Sequence, residues 1–451
     1  MSTMTQTAEA ARPAIRPRIA AKSGLFLFLG ANVAAVTLLF VQAGVSQNVL
    51  ITIGRLAGMY GALAMAFQLL LVARLPWLDR RLGMDRLTSW HRWTGFTILW
   101  TLLAHLVFIT LGYAEVSSKG VVDELVEMAN TLEGILRALV AFAVILIVGG
   151  ASAKFARKRL AYETWHFIHL YTYAAIVLAF THQIALGQSF AGSDTAKTYW
   201  WSLWLGAGAA VLAGRVVLPL WRNLRHQLRV TAVVSESPDV VSVYMTGKHL
   251  DRMPVKAGQF FLWRFLTKDR WWQANPFSLS AAPDGRSLRL TAKALGDSSA
   301  GLRNLAVGTR VFAEGPYGAF TTIHQKRPNA LLVAGGVGIT PIRALLEDID
   351  GHVVVLYRVR SQADAVLLPE LNGLAKARGA VVSVLTGPDQ AVGPRGAMLG
   401  PANLHMMVPD VHERDVFVCG PPGMTSAVLR SLRELKVPNA QVHAERFSLA
   451  A

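Results

Sequence analysis

The chain has 451 residues, 53% of them hydrophobic, a mean hydropathy of +0.37 and a formal net charge of +17 at neutral pH. A chain so long and so apolar cannot be one soluble domain, and its single cysteine, Cys419, excludes an intrachain disulfide, a thiolate-held iron–sulfur cluster and a multi-cysteine zinc site. The positive charge does not read as a nucleic-acid footprint, because Lys and Arg gather beside apolar runs instead of in one aromatic-laced patch; anionic lipid headgroups are the partner it fits.

Residues 1–23 read as a disordered tail carrying Arg12, Arg16, Arg18 and Lys22. The apolar run that follows is too long for a signal-peptide core and lacks a convincing cleavage site, so a retained first helix is expected. Runs long enough to cross a bilayer lie at 24–44, 50–73, 93–113, 134–153, 164–186 and 198–220, which predicts a six-helix transmembrane domain over 24–222. Arg80, Arg81 and Arg86 in one loop, and Lys154, Arg157, Lys158 and Arg159 in the next on the same side, mark the cytoplasmic face. Alternate loops carry Glu115, Asp123, Glu124 and Glu127. Both termini are then expected inside, in a multi-pass protein of the plasma membrane.

The third and fifth runs hold histidines. In "LTSWHRWTGFTILWTLLAHLVF" His91 and His105 are 14 residues apart, so a helix puts them about 21 Å apart in height and only about 40° apart in direction. "ETWHFIHLYTYAAIVLAFTHQI" offers His169 and His182 at a similar separation. Ionisable groups inside spans are functional candidates by default, and two helices with a histidine at each of two depths make two bis-imidazole metal sites. His91 with His169 near the cytoplasm, and His105 with His182 near the outer face, suit two b-type haems. Packed or snorkelling imidazoles are the plainer alternative. The 13-residue spacing turns an ideal helix about 140° out of register, so the fifth span needs a local irregularity or different rotamers, and His166 is a substitute ligand. Arg55 and Arg74 bracket the second span, where haem propionates would give each guanidinium an anionic partner.

From about 226 the pattern changes to short β-rich segments such as "RVTAVVSESPDVVSVYMT" and "SLRLTAKAL", which predict an antiparallel β-barrel over 226–325. After "HQKRPN", strands and helices alternate over 329–451, as in an α/β doubly wound nucleotide-binding domain. "NPFSLS" puts Ser278 in a strand whose backbone amides could face a planar heterocycle. "GGVGITP" joins a strand to a helix, where glycines let the backbone approach a pyrophosphate and the helix N-terminus supplies donors; a plain tight turn is the alternative. "VCGPPGM" ends another strand of the same sheet, with Cys419 either beside a ligand or a small buried hydrophobe. "YRVRSQAD" offers Arg358 and Arg360 with no adjacent acid, which suits the 2′-phosphate of NADPH and leaves NADH possible.

Together these stretches, with "KALGDSS", "AGGVGITP" and the closing "HAERF", resemble the ferredoxin-reductase-type flavoprotein module. Joined to six spans with two histidine pairs, they resemble the ferric reductase and NADPH oxidase superfamily of transmembrane flavocytochromes. The resemblance implies FAD against Asn275, Pro276, Phe277 and Ser278, with Gly296 and Ser299 at its pyrophosphate. It implies a nicotinamide nucleotide on Gly335, Gly336, Gly338, Thr340 and Pro341, with Cys419 and Gly420 beside hydride transfer and Phe447 near the flavin ring. Ser278, Cys419 and Phe447 are thus the catalytic candidates. Three departures stand out: Asn275 replaces a common histidine, "GDSS" replaces a pattern with threonine, and "SLAA" follows Phe447.

The expected activity is transfer of electrons from cytoplasmic NADPH through FAD and two haems to an outer acceptor. Oxygen, giving superoxide, is favoured because the outer loops are short and show no dedicated metal-chelate site. A ferric chelate, an extracytoplasmic partner or a quinone are the alternatives, and a haem-free anchored flavin reductase is the rival of another kind. No acidic loop of the EF-hand type occurs.

Overall fold

The computed structural model describes residues 17–157, 159–160, 162–388, 392–393 and 396–446; Phe447 lies outside them. The chain divides into two compact units, one of residues up to Leu75 and Asp85–Arg215, the other of Pro76–Met84 and Val216–Leu449.

The first unit is helical: α1 (Pro17–Gln42), α2 (Val49–Val72), α4 (Met84–Ser117), α5 (Val121–Thr131), α6 (Ile135–Ser152), α7 (Lys154–Arg157), α8 (Tyr162–Leu186), α9 (Gln188–Ala191) and α10 (Asp194–Leu212). With α3 (Pro76–Leu82), which belongs to the second unit, this is the order of the chain. Six helices among the described residues are long and apolar enough to span a bilayer, and their ranges follow the six predicted runs. Asn48 caps α2 by accepting from the Ile51 amide, and Ser193 caps α10 by accepting from Ala196. Leu27, Trp100, Ile147, Val177 and Leu205 are exposed, as lipid-facing side chains must be.

Packing inside this unit depends on small residues. An added Cβ at Gly54 would lie 2.7 Å from Ile109, at Gly58 2.6 Å from His105, and at Gly112 2.6 Å from Ile51. Glycine at these places lets α2 and α4 touch backbone to side chain, the usual means of helix association where burial from water gives no driving force. α6 and α8 pack through Ala141, Ala175 and Ala179. The last span leaves α-helical form in a π turn, Ala213–Val217, where a Cβ on Gly214 would meet the Ala73 carbonyl at 1.9 Å.

In the second unit α11 (Leu218–His226) leads into two three-stranded sheets. β1 (Arg229–Ser237), β2 (Val240–Thr246) and β5 (Ser287–Lys293) form one; β4 (Asn275–Ser278), β3 (Phe260–Phe265) and β6 (Val311–Tyr317) form the other, with the short helix α12 (Asp297–Ala300) between β5 and β6. The expected closed barrel is therefore corrected to two sheets joined by single bridges, Arg229 to Arg310 and Leu279 to Leu290. The ladders break because bulges at Val230/Ala232, Ser235/Ser237 and Phe260/Leu262 bend the strands at the corners. Asn223 of α11 pairs with both backbone groups of Ala313, and buried Asp79 of α3 accepts from the Gly318 amide at 2.8 Å, so both helices pack against the β6 edge.

The remaining chain is a five-stranded parallel sheet ordered β13 (Val442–Arg446), β12 (Asp415–Gly420), β7 (Ala330–Gly335), β8 (Val353–Arg358), β9 (Val381–Leu385). Helices α13 (Ile339–Asp348), α14 (Leu368–Arg378), α15 (Pro401–Met407) and α16 (Pro422–Glu434) accompany it, with a two-residue hairpin of β10 (Val392–Gly393) and β11 (Gly396–Ala397). The order reverses between β7 and β12, as the alternation of strand and helix predicted for a doubly wound sheet.

Candidate redox sites

The four intramembrane histidines meet in the expected pairs. His91 and His169 have ring centroids 5.9 Å apart with planes at 64°, and His105 and His182 stand 6.3 Å apart at 32°. Two imidazoles binding one metal at about 2.0–2.1 Å, through nitrogens about 1.1 Å from the ring centre, hold their centroids about 6.3 Å apart. Among the described residues no three or more His, Cys, Asp or Glu converge as a metal site. A two-ligand pair suits a metal whose other positions are filled by a flat macrocycle.

α8 is an unbroken α-helix through both histidines, so of the two expected alternatives, irregularity or rotamers, the side chains absorb the 13-residue phase. His166 is not in either pair; its recorded ring neighbour is Trp165. His169 stacks on Trp165 at 5.1 Å, and its Nδ1 reaches the Ser152 hydroxyl at 3.5 Å. His105 Nδ1 lies 2.8 Å from the Gly54 carbonyl, a contact that orients the ring and leaves Nε2 as the nitrogen not so engaged. Nδ1 of His91 and of His182 is buried with no hydrogen-bond partner. Gly134, in left-handed conformation, gives His182 its room: a Cβ there would lie 3.0 Å from the His182 Cα.

Of the two arginines, Arg55 is half-buried, donates to the Gly44 carbonyl at 3.1 Å and lies over the Phe40 ring. Arg74, just past α2, has a positive φ of 56° and is half-buried. The sequence reading missed Arg215, in the π turn, whose Nε donates to the Val72 carbonyl at 2.7 Å. Its signal was available: an arginine inside the last apolar run.

In the second unit, Asn275, Pro276 and Phe277 are half-buried on β4 and Ser278 is buried opposite Phe260. Trp263 donates from its indole to the Phe277 carbonyl at 2.9 Å, which anchors that strand. The "GDSS" loop is brought to the same place by Ser298, whose hydroxyl is 2.7 Å from Asn275 Oδ1. Ser299 instead turns back on its own loop, accepting from the amides of Leu295 and Gly296. An exposed face at Gly296 remains open, with nothing within 4 Å of an added Cβ.

The nucleotide motifs sit at the carboxyl ends of β7 and β12, the two strands flanking the reversal, where ligands bind in such sheets. Gly336 has a φ of +52° and open space, whereas a Cβ on Gly338 would strike the Cys419 carbonyl at 2.2 Å and one on Gly420 would come within 3.0 Å of Gly335. Thr340 is buried and donates to the Val337 carbonyl, so it shapes the loop; Pro341 is buried in the first turn of α13. The Cys419 thiol is wholly buried in the sheet core and burial pushes its pKa well up, so the backbone of Gly420 is what this stretch offers at the edge. Arg358 bonds the carbonyls of Leu385 at 3.2 Å and Gly387 at 2.8 Å, while Arg360 is exposed.

Residues 57–180 match the family described as ferric reductase like transmembrane component, 225–321 an FAD-binding domain, and 332–430 an oxidoreductase NAD-binding domain. The chain thus joins a ferric reductase like transmembrane component to FAD- and NAD-binding oxidoreductase domains, the combination of a ferric reductase/NADPH oxidase-type flavocytochrome. It is an NAD(P)H-dependent membrane oxidoreductase. Ferredoxin–NADP reductase B of Sorangium cellulosum is 30% identical over 193 residues, 38% of this chain and 77% of that protein. The glycine betaine monooxygenase reductase subunit of Chromohalobacter salexigens is 27% identical over 246 residues, 51% of this chain and 67% of that protein. A Vibrio cholerae flavohemoprotein is 28% identical over 262 residues, and the match spans 53% of this chain and 63% of that protein. The solved flavohem-like FAD/NAD-binding domain of nitric oxide dioxygenase from Vibrio cholerae has a TM-score of 0.39 at 24% identity, covering 49% of this chain and 99% of that one.

Proposed function

We propose that this protein moves electrons from cytoplasmic NADPH across the plasma membrane to oxygen on the outer face, giving superoxide. The observation that carries the reading is the double imidazole pair, 5.9 and 6.3 Å between centroids, built by the same two helices. When bound, FAD would take the hydride and two b-type haems would conduct single electrons. One NADPH yields two electrons and a proton as it becomes NADP⁺, so two oxygen molecules each gain one electron.

The chain's own residues hold and insulate these groups. His91 with His169, and His105 with His182, would hold the two haems through their imidazole nitrogens, and Gly58 and Gly134 keep the space beside the rings. Asn275 to Ser278 and Gly296 would line the flavin, and the β7 and β12 edges would hold the nucleotide. Preference for NADPH over NADH would rest on Arg358 and Arg360 at the end of β8, of which Arg360 is the more exposed. Oxygen suits the outer loops. Three of their carboxylates are taken up locally, Glu115 with Asn48, Glu124 with Ser117 and Glu127 with Lys119, and so are not gathered into a site for a ferric ion.

The test is an absorbance spectrum of the purified protein with FAD, taken anaerobically, then with NADPH, then in air. Reduced haem bands that vanish promptly in air support the reading. Bands that persist in air replace oxygen by a chelate, quinone or protein acceptor, and a protein without haem bands is an anchored flavin reductase.

A further inference from the structure

We propose that Arg215 is an anion-binding residue of the inner histidine site, holding a carboxylate of the haem between His91 and His169 and raising its reduction potential. The inference rests on the haem reading above and adds a residue to it.

The placement follows from the register of α2 against α4. Each step along α2 is matched by an equal step back along α4: Ile51 meets Gly112, Gly54 meets Ile109, Gly58 meets His105, and Gln68 meets Gly95. Four residues beyond Gln68 stands Val72, and four residues before Gly95 stands His91, so Val72 faces His91. Arg215 donates from Nε to the carbonyl of that same Val72 at 2.7 Å. That contact places the guanidinium at the depth of His91, and His91 is paired with His169 at 5.9 Å between ring centroids.

The local backbone holds it there. Gly214 lies so close to the Ala73 carbonyl that a Cβ would meet it at 1.9 Å, which pins the last span to the end of α2. The π turn over Ala213–Val217 adds a residue to the helical circuit and redirects the side chains within it. A cation in a span costs several kcal/mol unless an anion or carbonyls meet it. A haem brings two carboxylates, and a guanidinium matches a carboxylate with paired donors. A positive charge beside the iron favours the form carrying one more electron, so its removal must make that haem harder to reduce.

The experiment uses the full-length protein with FAD, as wild type and as Arg215→Gln and Arg215→Lys. Each is titrated electrochemically while the haem absorbance is followed, with haem and flavin content measured alongside. His105→Leu, which leaves only the inner site, assigns the two steps. The expected result is that Arg215→Gln shifts the inner step to more negative potential while the outer step stays, and that Arg215→Lys stays near wild type. Should Arg215→Gln instead lose haem, loss of the inner haem alone with retention in Arg215→Lys carries the same meaning. Superimposed titrations, equal shifts of both steps, or loss of both haems in Arg215→Gln overturn the proposal. A wild-type protein without haem defeats the parent reading, and is distinguished before any variant is compared.

Discussion

The imidazole of His105 is held between two helices, its Nδ1 2.8 Å from the Gly54 carbonyl on one and its ring centroid 6.3 Å from that of His182 on the other. Leucine at 105 removes both imidazole nitrogens and keeps roughly the volume. His105→Leu and His182→Leu should each bind about half the wild-type haem, because the His91 and His169 pair is made by other turns. Flavin reduction by NADPH should continue at wild-type rate in both. Pyridine haemochrome absorbance per flavin measures this, and full haem content in either variant would refute the pairing.

Gly58 tests whether the seam between α2 and α4 serves the same ring. A methyl group at this position falls 2.6 Å from His105 Nδ1 and 2.8 Å from Cε1. Alanine in a helix gains up to about 1 kcal/mol over glycine, but overpacking a tight contact costs about 1–3 kcal/mol, so the clash should win. Gly58→Ala should lower haem content and thermal stability together. Gly150→Ala in α6, with nothing within 4 Å of the new methyl, should lower neither. Equal behaviour of the two variants, read by haem content and melting temperature, would show that the seam does not matter.

How the site was legible differs by kind of signal. The six spans and the four histidines could be read because periodicity and the cost of a polar group in lipid act along a single helix. The same is true of the glycines after β7, whose spacing is local. Arg215 was missed because its meaning depends on the register of α2 against α4, which no local pattern carries. Arg358 and Arg360 looked alike in sequence, yet one bonds the carbonyls of Leu385 and Gly387, contributed by another strand and its loop. The barrel was overdrawn for a related reason: bulges that break a ladder leave little trace in an alternating strand pattern. Which hydroxyl of "GDSS" faces Asn275 was not legible either, because one short helical turn decides it in favour of Ser298.

Arg360 and Arg358 now give separable outcomes. Arg360 is exposed beside the end of β8, so Arg360→Ala should raise the KM for NADPH about tenfold and leave that for NADH nearly unchanged, the value of one lost charge-assisted contact. Arg358→Ala removes a side chain that ties β8 to the loop after β9, and should weaken both nucleotides and the domain itself. Steady-state kinetics with each nucleotide decides the matter. Equal effects of Arg360→Ala on both would remove the ground for NADPH preference.

A buried ion-pair network links the two halves of the reductase unit. Arg289 of β5, 5% exposed, reaches Glu370 of α14, 33% exposed, at 2.9 Å, and Glu370 also meets Arg343 of α13. Glu370→Gln leaves two guanidiniums with less counter-charge. Breaking a fully buried pair costs about 3–5 kcal/mol, and the partial exposure of Glu370 reduces this to about 1–3 kcal/mol. Flavin fluorescence should therefore appear at lower temperature in Glu370→Gln, with FAD content at low temperature unchanged. An unchanged release temperature would mean that solvent already screens the network.

Cys419 supplies a dependence of stability on pH. Its thiol is 0% exposed, and burial holds its pKa well above the ordinary value of 9.0. The folded state therefore keeps its proton where the unfolded chain gives it up. Its stabilising effect is complete below about pH 9 and declines as pH rises toward the folded pKa, by up to about 1.4 kcal/mol per pH unit. Cys419→Ala should flatten the fall in stability of the reductase unit between about pH 9 and 10.5, at the cost of a small cavity. The native thiol should also resist a maleimide at about pH 8 with or without NADPH, and react once urea unfolds the sheet. Rapid labelling of the folded protein, or an unchanged pH slope in the alanine variant, would place the sulfur at the nucleotide edge and restore it as a direct contact in hydride transfer.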